Sequence, residues 1–207
     1  MIVMTACYAI ETRWMQSRDR VRLIRTPVGE GAFDALDERP NEPVDLLLST
    51  GFCGGADPAL RRGDLVLADR VLHRGESILL DPALVERAQR ILAVSGCKPT
   101  IGAVASSANV AQWEDKQRLL QEGALSVDME SGPLSRWAIA RDVPFLSLRG
   151  VLDEAGDDVP FSPQSSLIRA VVCHPLAAAR AGRWARQAGR ALGRALDALV
   201  LGLEERP

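Results

Sequence analysis

Short apolar runs alternate with helical patterns along this chain, and this alternation restricts the folds that it can adopt. Runs typical of strands lie at residues 2–6, 21–25, 45–50, 64–72, 100–107 and 144–151. Helical patterns lie at about residues 30–38, 82–95, 112–122, 131–141 and 176–203. Such alternation is expected where crossover helices cover a sheet. We therefore predict an α/β protein, with one three-layer α/β/α domain over residues 1–207 and a central, twisted, mixed sheet.

Composition and charge exclude several classes of protein. With 207 residues, of which 47% are hydrophobic, the chain can bury a sizeable core, and a disordered protein is excluded. The formal net charge of −2 argues against nucleic-acid binding, because phosphate contacts require a basic surface. We expect the partners to be small molecules or further copies of the chain.

The cysteines and the N-terminus indicate a cytoplasmic protein. Cys7, Cys53, Cys97 and Cys173 form no CxxC pair and have no histidine at metal-ligand spacing, so neither a disulfide framework nor a metal site is predicted. The opening MIVMTACYAIETRW lacks the basic and apolar regions of a signal peptide. No apolar run approaches the roughly 18 residues that span a bilayer.

A glycine-containing segment, TGFCGG, begins where the apolar run at 45–50 stops. Gly51, Gly54 and Gly55 would let the backbone approach a ligand at the carboxyl end of a strand, although tight turns use the same residues. The segment is neither a G-x-G-x-x-G fingerprint nor a Walker A loop. The segment therefore does not support binding of a nicotinamide cofactor or of ATP.

Three acidic residues follow predicted strands and are candidates for chemistry. They are Glu11, Glu130 and Asp153, and Arg149 lies four residues before the last of them. In a parallel sheet these strand ends would converge in one crevice. Each acid alone is also compatible with a helix cap, and Arg149 with a plain salt bridge. The two histidines, 73 and 174, have no nearby serine or cysteine motif, so acid and base roles fall to carboxylates.

The last helical pattern carries a stripe of arginines at spacings of three and four. These are Arg180, Arg183, Arg186, Arg190 and Arg194. The spacing places them on one face of a helix. That face is either solvated or a surface for anionic lipid headgroups, which would allow peripheral membrane contact.

Three segments resemble the nucleoside phosphorylase/nucleosidase superfamily, which includes purine nucleoside phosphorylase and methylthioadenosine/S-adenosylhomocysteine nucleosidase. They are AIE, TGFCGGADPALRRGDLVLADRV and SVDMESGPLSRWAIARDVPFLSLRGVLDEA. Within the superfamily, GESILLDPALVERAQRIL and EDKQRLL look most like the hopanoid-associated branch, which is implicated in removing adenine from adenosylhopane. The resemblance implies a phosphorylase/hydrolase-like fold, a homo-oligomer, and cleavage of a purine N-glycosidic bond.

The resemblance also implies roles for individual residues. Glu130 matches the glutamate that accepts hydrogen bonds from the ribose hydroxyls, and Met129 the methionine beside the sugar. Asp153 matches the aspartate that gives a proton to N7 of the departing purine. Glu11 matches the glutamate that, with the arginine matched by Arg149, positions or deprotonates the attacking water.

Further substrate contacts are expected from the glycine segment and from the stretch that follows the strand at 100–107. Phe52, Gly54 and Gly55 belong to the first group, and Ser107 and Val110 to the second, where the resemblance implies that the base is held. The co-substrate would be water or inorganic phosphate, with no other cofactor. Phe52 replaces a small hydroxyl residue of the nucleosidases, which removes a possible donor to water or phosphate.

Two other functions stay open at this point. One is phosphorolysis of ordinary purine nucleosides. The other is a catalytically silent scaffold that binds nucleosides, which the same fold could support if Glu11 or Asp153 were misplaced.

Overall fold

The computed structural model describes residues 1–38, 43–157 and 175–204, and side chains in the last range from residue 179 onward. His174 and Cys173 lie outside these ranges. The described residues form eight strands: β1 (Ile2–Ala6), β2 (Arg22–Arg25), β3 (Leu46–Gly55), β4 (Leu65–His73), β5 (Glu76–Leu79), β6 (Thr100–Ser106), β7 (Ala124–Asp128) and β8 (Phe145–Asp153). They also form five α-helices: α1 (Gly31–Asp37), α2 (Pro82–Val94), α3 (Trp113–Gln121), α4 (Ser131–Ile139) and α5 (Pro175–Glu204).

The predicted α/β class and mixed central sheet are confirmed. The strand order is β2-β1-β3-β7-β6-β4-β5, and β8 pairs with both β3 and β4. Strands β3, β7, β6, β4 and β8 therefore close into a ring, with β1, β2 and β5 outside it. The division into a single domain over residues 1–207 stays a prediction.

The direction of the strands differs from the expectation of converging parallel ends. β3 and β8 run parallel, but β7 runs antiparallel to β3, and β4 antiparallel to β8. The residues at the end of β7 therefore contact the middle of β8. They do not lie at the sheet edge where β8 ends. The closed ring, more than a common sheet edge, brings the predicted acids together.

Most predicted elements lie within one or two residues of the observed ones, and the exceptions have local causes. β3 continues to Gly55, so the glycine segment is part of a strand and not a tight turn. Its ladder with β8 contains a bulge, because Cys53 pairs with Val151 while Gly54 pairs with Asp153. β5 had not been assigned from the sequence and has only four residues, whereas β7 is the strand expected before Glu130.

The C-terminal helix α5 covers the sheet with one apolar face and exposes the arginine stripe on the other. Its fully buried residues are Ala188, Leu192, Ala195, Leu196, Leu199 and Val200. Gly189 and Gly193 leave room for Trp14. A Cβ at Gly193 would lie 2.8 Å from the carbonyl carbon of Trp14. α5 therefore packs directly on the segment that follows Glu11. Among the described helices, none is long and apolar enough to cross a membrane.

Candidate active site

Arg149, in the middle of β8, is the centre of a buried polar cluster. It is 1% exposed, and its Nε lies 2.7 Å from Oδ2 of Asp128. Its Nη2 donates to the hydroxyls of Ser49 at 2.5 Å and Ser131 at 3.1 Å. Its Nη1 lies 3.9 Å from Oε2 of Glu130. The buried positive charge is thus shared between two carboxylates that come from the end of β7.

Glu11 belongs to a short 3-10 turn, Ala9–Glu11, and its carboxylate is held by the main chain. Oε2 accepts a hydrogen bond from the backbone N–H of Tyr8 at 2.8 Å, and Oε1 accepts one from that of Phe52 at 3.2 Å. Burial raises the pKa of Glu11, while these two hydrogen bonds and the charge of Arg149 oppose the increase. The carboxylate lies beside Gly51, where an added Cβ would be 2.8 Å from both Glu11 Oε1 and Arg149 Nη1.

Glu130 follows β7 and lies at the start of α4. Its Oε1 accepts a hydrogen bond from the backbone N–H of Gly29 at 3.2 Å. Burial, and next the charge of Asp128, raise the pKa of Glu130 to about 7, with Arg149 opposing them. A carboxylate that titrates near neutral pH in a buried cluster is typical of a functional site.

Asp153 ends β8 and forms a buried ion pair that the sequence did not predict. Its Oδ2 accepts a hydrogen bond from Nζ of Lys116, which lies on α3 and is 1% exposed. The same ammonium group donates to the carbonyl oxygens of Glu154 and Asp157, each at 2.9 Å. Burial raises the pKa of Asp153, and the charge of Lys116 is the largest opposing influence. Burial and the charge of Lys116 thus act on the pKa of Asp153 in opposite directions.

Cys53 lies on β3 between Gly51, which pairs with Arg149, and Gly54, which pairs with Asp153. Burial raises the pKa of its thiol to about 12, and the charges of Arg149, Asp128 and Asp153 all act on it. The Arg149 cluster and Asp153 therefore both lie close enough to influence the buried thiol of Cys53. The ring of strands brings Glu11, Glu130 and Arg149 together, and Asp153 lies four residues further along β8, paired with Lys116.

The remaining residues predicted for the site lie around this region. Phe52 contributes its backbone N–H to Glu11, and a Cβ at Gly54 would lie 3.0 Å from Asp153 Oδ2. Gly55 faces elsewhere, since its Cβ would meet Leu60 and the Asp153 carbonyl at 3.4 Å. Ser107, Val110 and Met129 are half-buried, and the backbone N–H of Ser107 donates to the carbonyl of Asp128 at 2.8 Å.

Asp128 is a second acid beside Arg149. β7 ends at Asp128, Glu130 lies at the N-terminal cap of α4, and both carboxylates form ion pairs with Arg149. Asp128 also accepts hydrogen bonds from the backbone N–H of Ser131 at 3.2 Å and from its hydroxyl at 2.5 Å. Its role is to hold Arg149 and to start the helix.

Lys116 is the functional candidate that sequence reasoning missed. Lys98 and Lys116 are the only lysines among 25 basic residues, and a lone lysine within EDKQRLL resembles an ordinary exposed helix residue. Ser49, Ser131 and Gly29 were missed for a similar reason, because their contacts depend on how the ring closes. Among the described residues, no group of three histidine, cysteine or acidic side chains could hold a metal ion.

Fold and site together define an α/β protein with a mixed central sheet and a buried cluster of acids around Arg149. A family model for the Phosphorylase superfamily matches residues 12–183, and the chain belongs to this superfamily. Curated relatives include 5'-methylthioadenosine/S-adenosylhomocysteine nucleosidases of Mycobacterium tuberculosis, 27% identical over 153 residues, and Geobacillus thermodenitrificans, 27% identical over 135 residues. These matches cover 54% and 55% of this chain, and the chain spans only 60% and 57% of the two relatives.

Solved structures share the fold over nearly the whole chain. The Helicobacter pylori 5'-methylthioadenosine/S-adenosylhomocysteine nucleosidase, as a mutant with 5'-methylthioadenosine in its active site, matches with a TM-score of 0.74 at 14% identity and covers 96% of this chain and 97% of its own. The Campylobacter jejuni nucleosidase matches with a TM-score of 0.69 at 16% identity, covering 95% and 98%. At such identities the similarity concerns the fold.

Proposed function

We propose that this protein cleaves the N-glycosidic bond of an adenine or related purine nucleoside, with water as the attacking group. The observation that carries the proposal is the buried Glu11 carboxylate. It is held by two backbone N–H groups beside Arg149, which also pairs with Glu130, and Asp153 ends the strand that carries Arg149. The names of the curated relatives and the family membership support the same chemistry.

The carboxylates suit the charge changes of this reaction. Breaking the bond between C1′ and N9 builds positive charge on the ribose, while the electron pair moves into the purine. Glu130, held by Gly29 and Arg149, would accept hydrogen bonds from the ribose hydroxyls and stabilise that charge. Asp153 would give a proton to N7 of the base, an acid role worth about 10²- to 10⁴-fold in rate.

Glu11 favours hydrolysis over phosphorolysis. As a carboxylate it can accept a proton from water, whereas it would repel a phosphate dianion brought into the same space. The positive charge of Arg149 is already shared with Asp128 and Glu130, so little of it is left for phosphate. Arg25 is also engaged, with Nη1 at 2.8 Å from the carbonyl of Tyr8.

Release of free base is the direct test. Purified protein would be mixed with methylthioadenosine, adenosine or inosine, with and without phosphate, and the free base measured. We expect release without phosphate and loss of turnover in Asp153→Asn with nucleoside affinity retained. Release that requires phosphate would replace hydrolysis by phosphorolysis. Binding without release from any substrate would indicate the silent scaffold.

The exposed arginine face of α5 supports a narrower form of the proposal, in which the nucleoside carries a large apolar 5′ substituent, as adenosylhopane does. Arg183, Arg186, Arg190 and Arg194 are all exposed and could contact anionic headgroups of a membrane that holds such a substrate. Sedimentation with phosphatidylglycerol vesicles, compared with neutral phosphatidylcholine vesicles, tests this contact. Equal sedimentation with both would exclude it.

Assembly into a homo-oligomer is part of the same proposal. Leu79, Val94 and Ile139 are large apolar residues exposed by 77%, 91% and 62%, and a second copy would cover such groups. Light scattering coupled to size-exclusion chromatography gives the mass in solution. A monomer mass at micromolar concentration would contradict this part.

A further inference from the structure

Lys116 carries a buried positive charge, which is unfavourable unless the charge is paired and hydrogen-bonded. Its ammonium group has three N–H donors, and the structure provides three acceptors: Asp153 Oδ2 and the carbonyl oxygens of Glu154 and Asp157. No part of the mechanism above uses this residue. A buried charge that is fully paired at the end of β8 can act on the chemistry only through Asp153.

We propose that Lys116 is a positioning residue for the general acid. It holds Oδ2 of Asp153, so that Oδ1 carries the proton for the base, and its charge stabilises the carboxylate that remains after proton transfer. The inference rests on the proposed function and adds to it a residue that sets the strength and orientation of the acid.

The geometry explains how Lys116 stays in place through both states of the acid. Two of its three hydrogen bonds go to backbone carbonyls, which keep their acceptor character whether Asp153 is neutral or charged. Room for the pair comes from Gly54, where a Cβ would lie 3.0 Å from Asp153 Oδ2 and 3.2 Å from Lys116 Cε. A side chain at position 54 would force Asp153 or Lys116 to shift.

The proton and electron movements balance. As the bond between C1′ and N9 breaks, its electron pair enters the purine and the proton on Asp153 Oδ1 moves to N7. The oxygen of water bonds to C1′ and one of its protons passes to Glu11. The enzyme is then left with an ionised Asp153 beside Lys116 and a protonated Glu11, and exchange with solvent restores the starting state.

The titratable groups near Asp153 come from four parts of the chain. Lys116 lies on α3, Arg62 on the connection between β3 and β4, Asp157 on the turn after β8, and Cys53 on β3. Lys116 and Arg62 lower the pKa of Asp153, whereas Asp157 and, more strongly, burial raise it. Because Lys116 has the largest opposing effect, its removal should leave a weaker acid.

The test compares Lys116→Met with Lys98→Met, which changes the only other lysine, an exposed one. In K116M we expect kcat for methylthioadenosine to fall about 10- to 100-fold with a nearly unchanged KM. Activity requires a protonated Asp153 and is lost as the pH rises through its pKa. Since K116M raises that pKa, the alkaline decline of kcat should move to higher pH. K98M should behave as wild type, and Lys116→Arg should restore the wild-type profile.

A second substrate separates this role from a merely structural one. The leaving group of p-nitrophenyl riboside departs without protonation, so K116M and D153N should both retain most of the wild-type rate with it. An equal loss with both substrates and no shift of the pH profile would overturn the inference. If K116M does not fold, Lys116→Gln serves instead, because its amide is neutral and still donates to the two carbonyls.

Direct titration of Asp153 tests the inference without a measurement of activity. ¹³C NMR of carboxyl-labelled aspartate, assigned with D153N, should show a higher pKa for Asp153 in K116Q than in wild type. An unchanged titration would refute the inference even where hydrolysis is confirmed. Absence of base release by the wild type would instead refute the proposed function, so the two failures are distinguishable.

Discussion

The side chains of Glu11 and Arg149 converge on the backbone of β3 at position 51, one as a carboxylate and the other as a guanidinium. A Cβ there would lie 2.8 Å from Glu11 Oε1 and 2.8 Å from Arg149 Nη1. Gly51 also has a φ of +147°, which side chains rarely adopt. The close approach of Glu11 and Arg149 therefore depends on a residue without a side chain.

Gly51→Ala should separate these two groups and remove most of the activity. We expect kcat to fall by about 100-fold or more, since a small displacement of catalytic groups is that costly. The unfavourable backbone should cost about 1–3 kcal/mol of the free energy of unfolding. Gly96→Ala is the control, because its φ is +76° and nothing lies within 4 Å of its added Cβ. Full activity of G51A would contradict the arrangement.

Glu11→Gln should impair attack by water while leaving nucleoside binding largely intact. The carboxylate accepts from two N–H groups, those of Tyr8 and Phe52, whereas an amide presents one oxygen and one donor. One backbone N–H would thus face an NH₂ group. Steady-state kinetics should show a loss of about 10²- to 10⁴-fold in kcat. Unaltered kcat would exclude Glu11 as the base.

Arg149→Met should destabilise the fold more than the removal of an exposed arginine. Asp128 would remain buried without the partner that lies 2.7 Å away, at a cost of about 3–5 kcal/mol. Arg118→Met removes an exposed pair with Asp115 on α3, worth about 1 kcal/mol or less. Urea denaturation of both variants measures the difference. Similar losses would mean that the buried cluster adds little to stability.

Glu130 should make the protein more stable at mildly acidic than at alkaline pH. Its pKa is raised from 4.5 to about 7, so the folded state keeps a proton that the unfolded chain has released. The stabilising contribution is complete below the ordinary pKa and is lost as the pH rises through about 7. Denaturation at about pH 5 and about pH 8 measures this dependence. Glu130→Gln should flatten it, and an equally steep dependence in E130Q would assign it to other groups.

Local patterns in the sequence predicted most of the helices and strands. They could not predict the contacts between side chains across the ring of strands. Asp81 caps α2 by accepting from the N–H of Ala83 at 2.9 Å, with Pro82 at the first turn, as its sequence indicates. By contrast, the spacing of four between Arg149 and Asp153 would place both on one face of a regular strand. The bulge at Leu152 removes that regularity, and no periodicity in the sequence marks it.

The carboxylates were candidates because they follow predicted strands, and motif similarity then suggested their roles; the structure brings Glu11, Glu130 and Arg149 together. Their roles in the reaction stay predictions until the kinetics are measured. Lys116 was not predicted because burial of a lysine depends on acceptors that are distant in sequence, here 37 to 41 residues away. Such a partner becomes visible only once the turn after β8 is placed against α3.

Arg62 connects that turn to the end of the chain. Its Nη1 lies 2.9 Å from Glu154 Oε1, and its guanidinium carbon lies 4.2 Å from the ring centroid of Trp184 on α5. Its carbonyl also accepts a hydrogen bond from Gln187 at 2.6 Å. A shortened protein without α5 would retain Glu11, Glu130 and Asp153, yet it would lose the surface against which Arg62 holds the turn that pairs with Lys116.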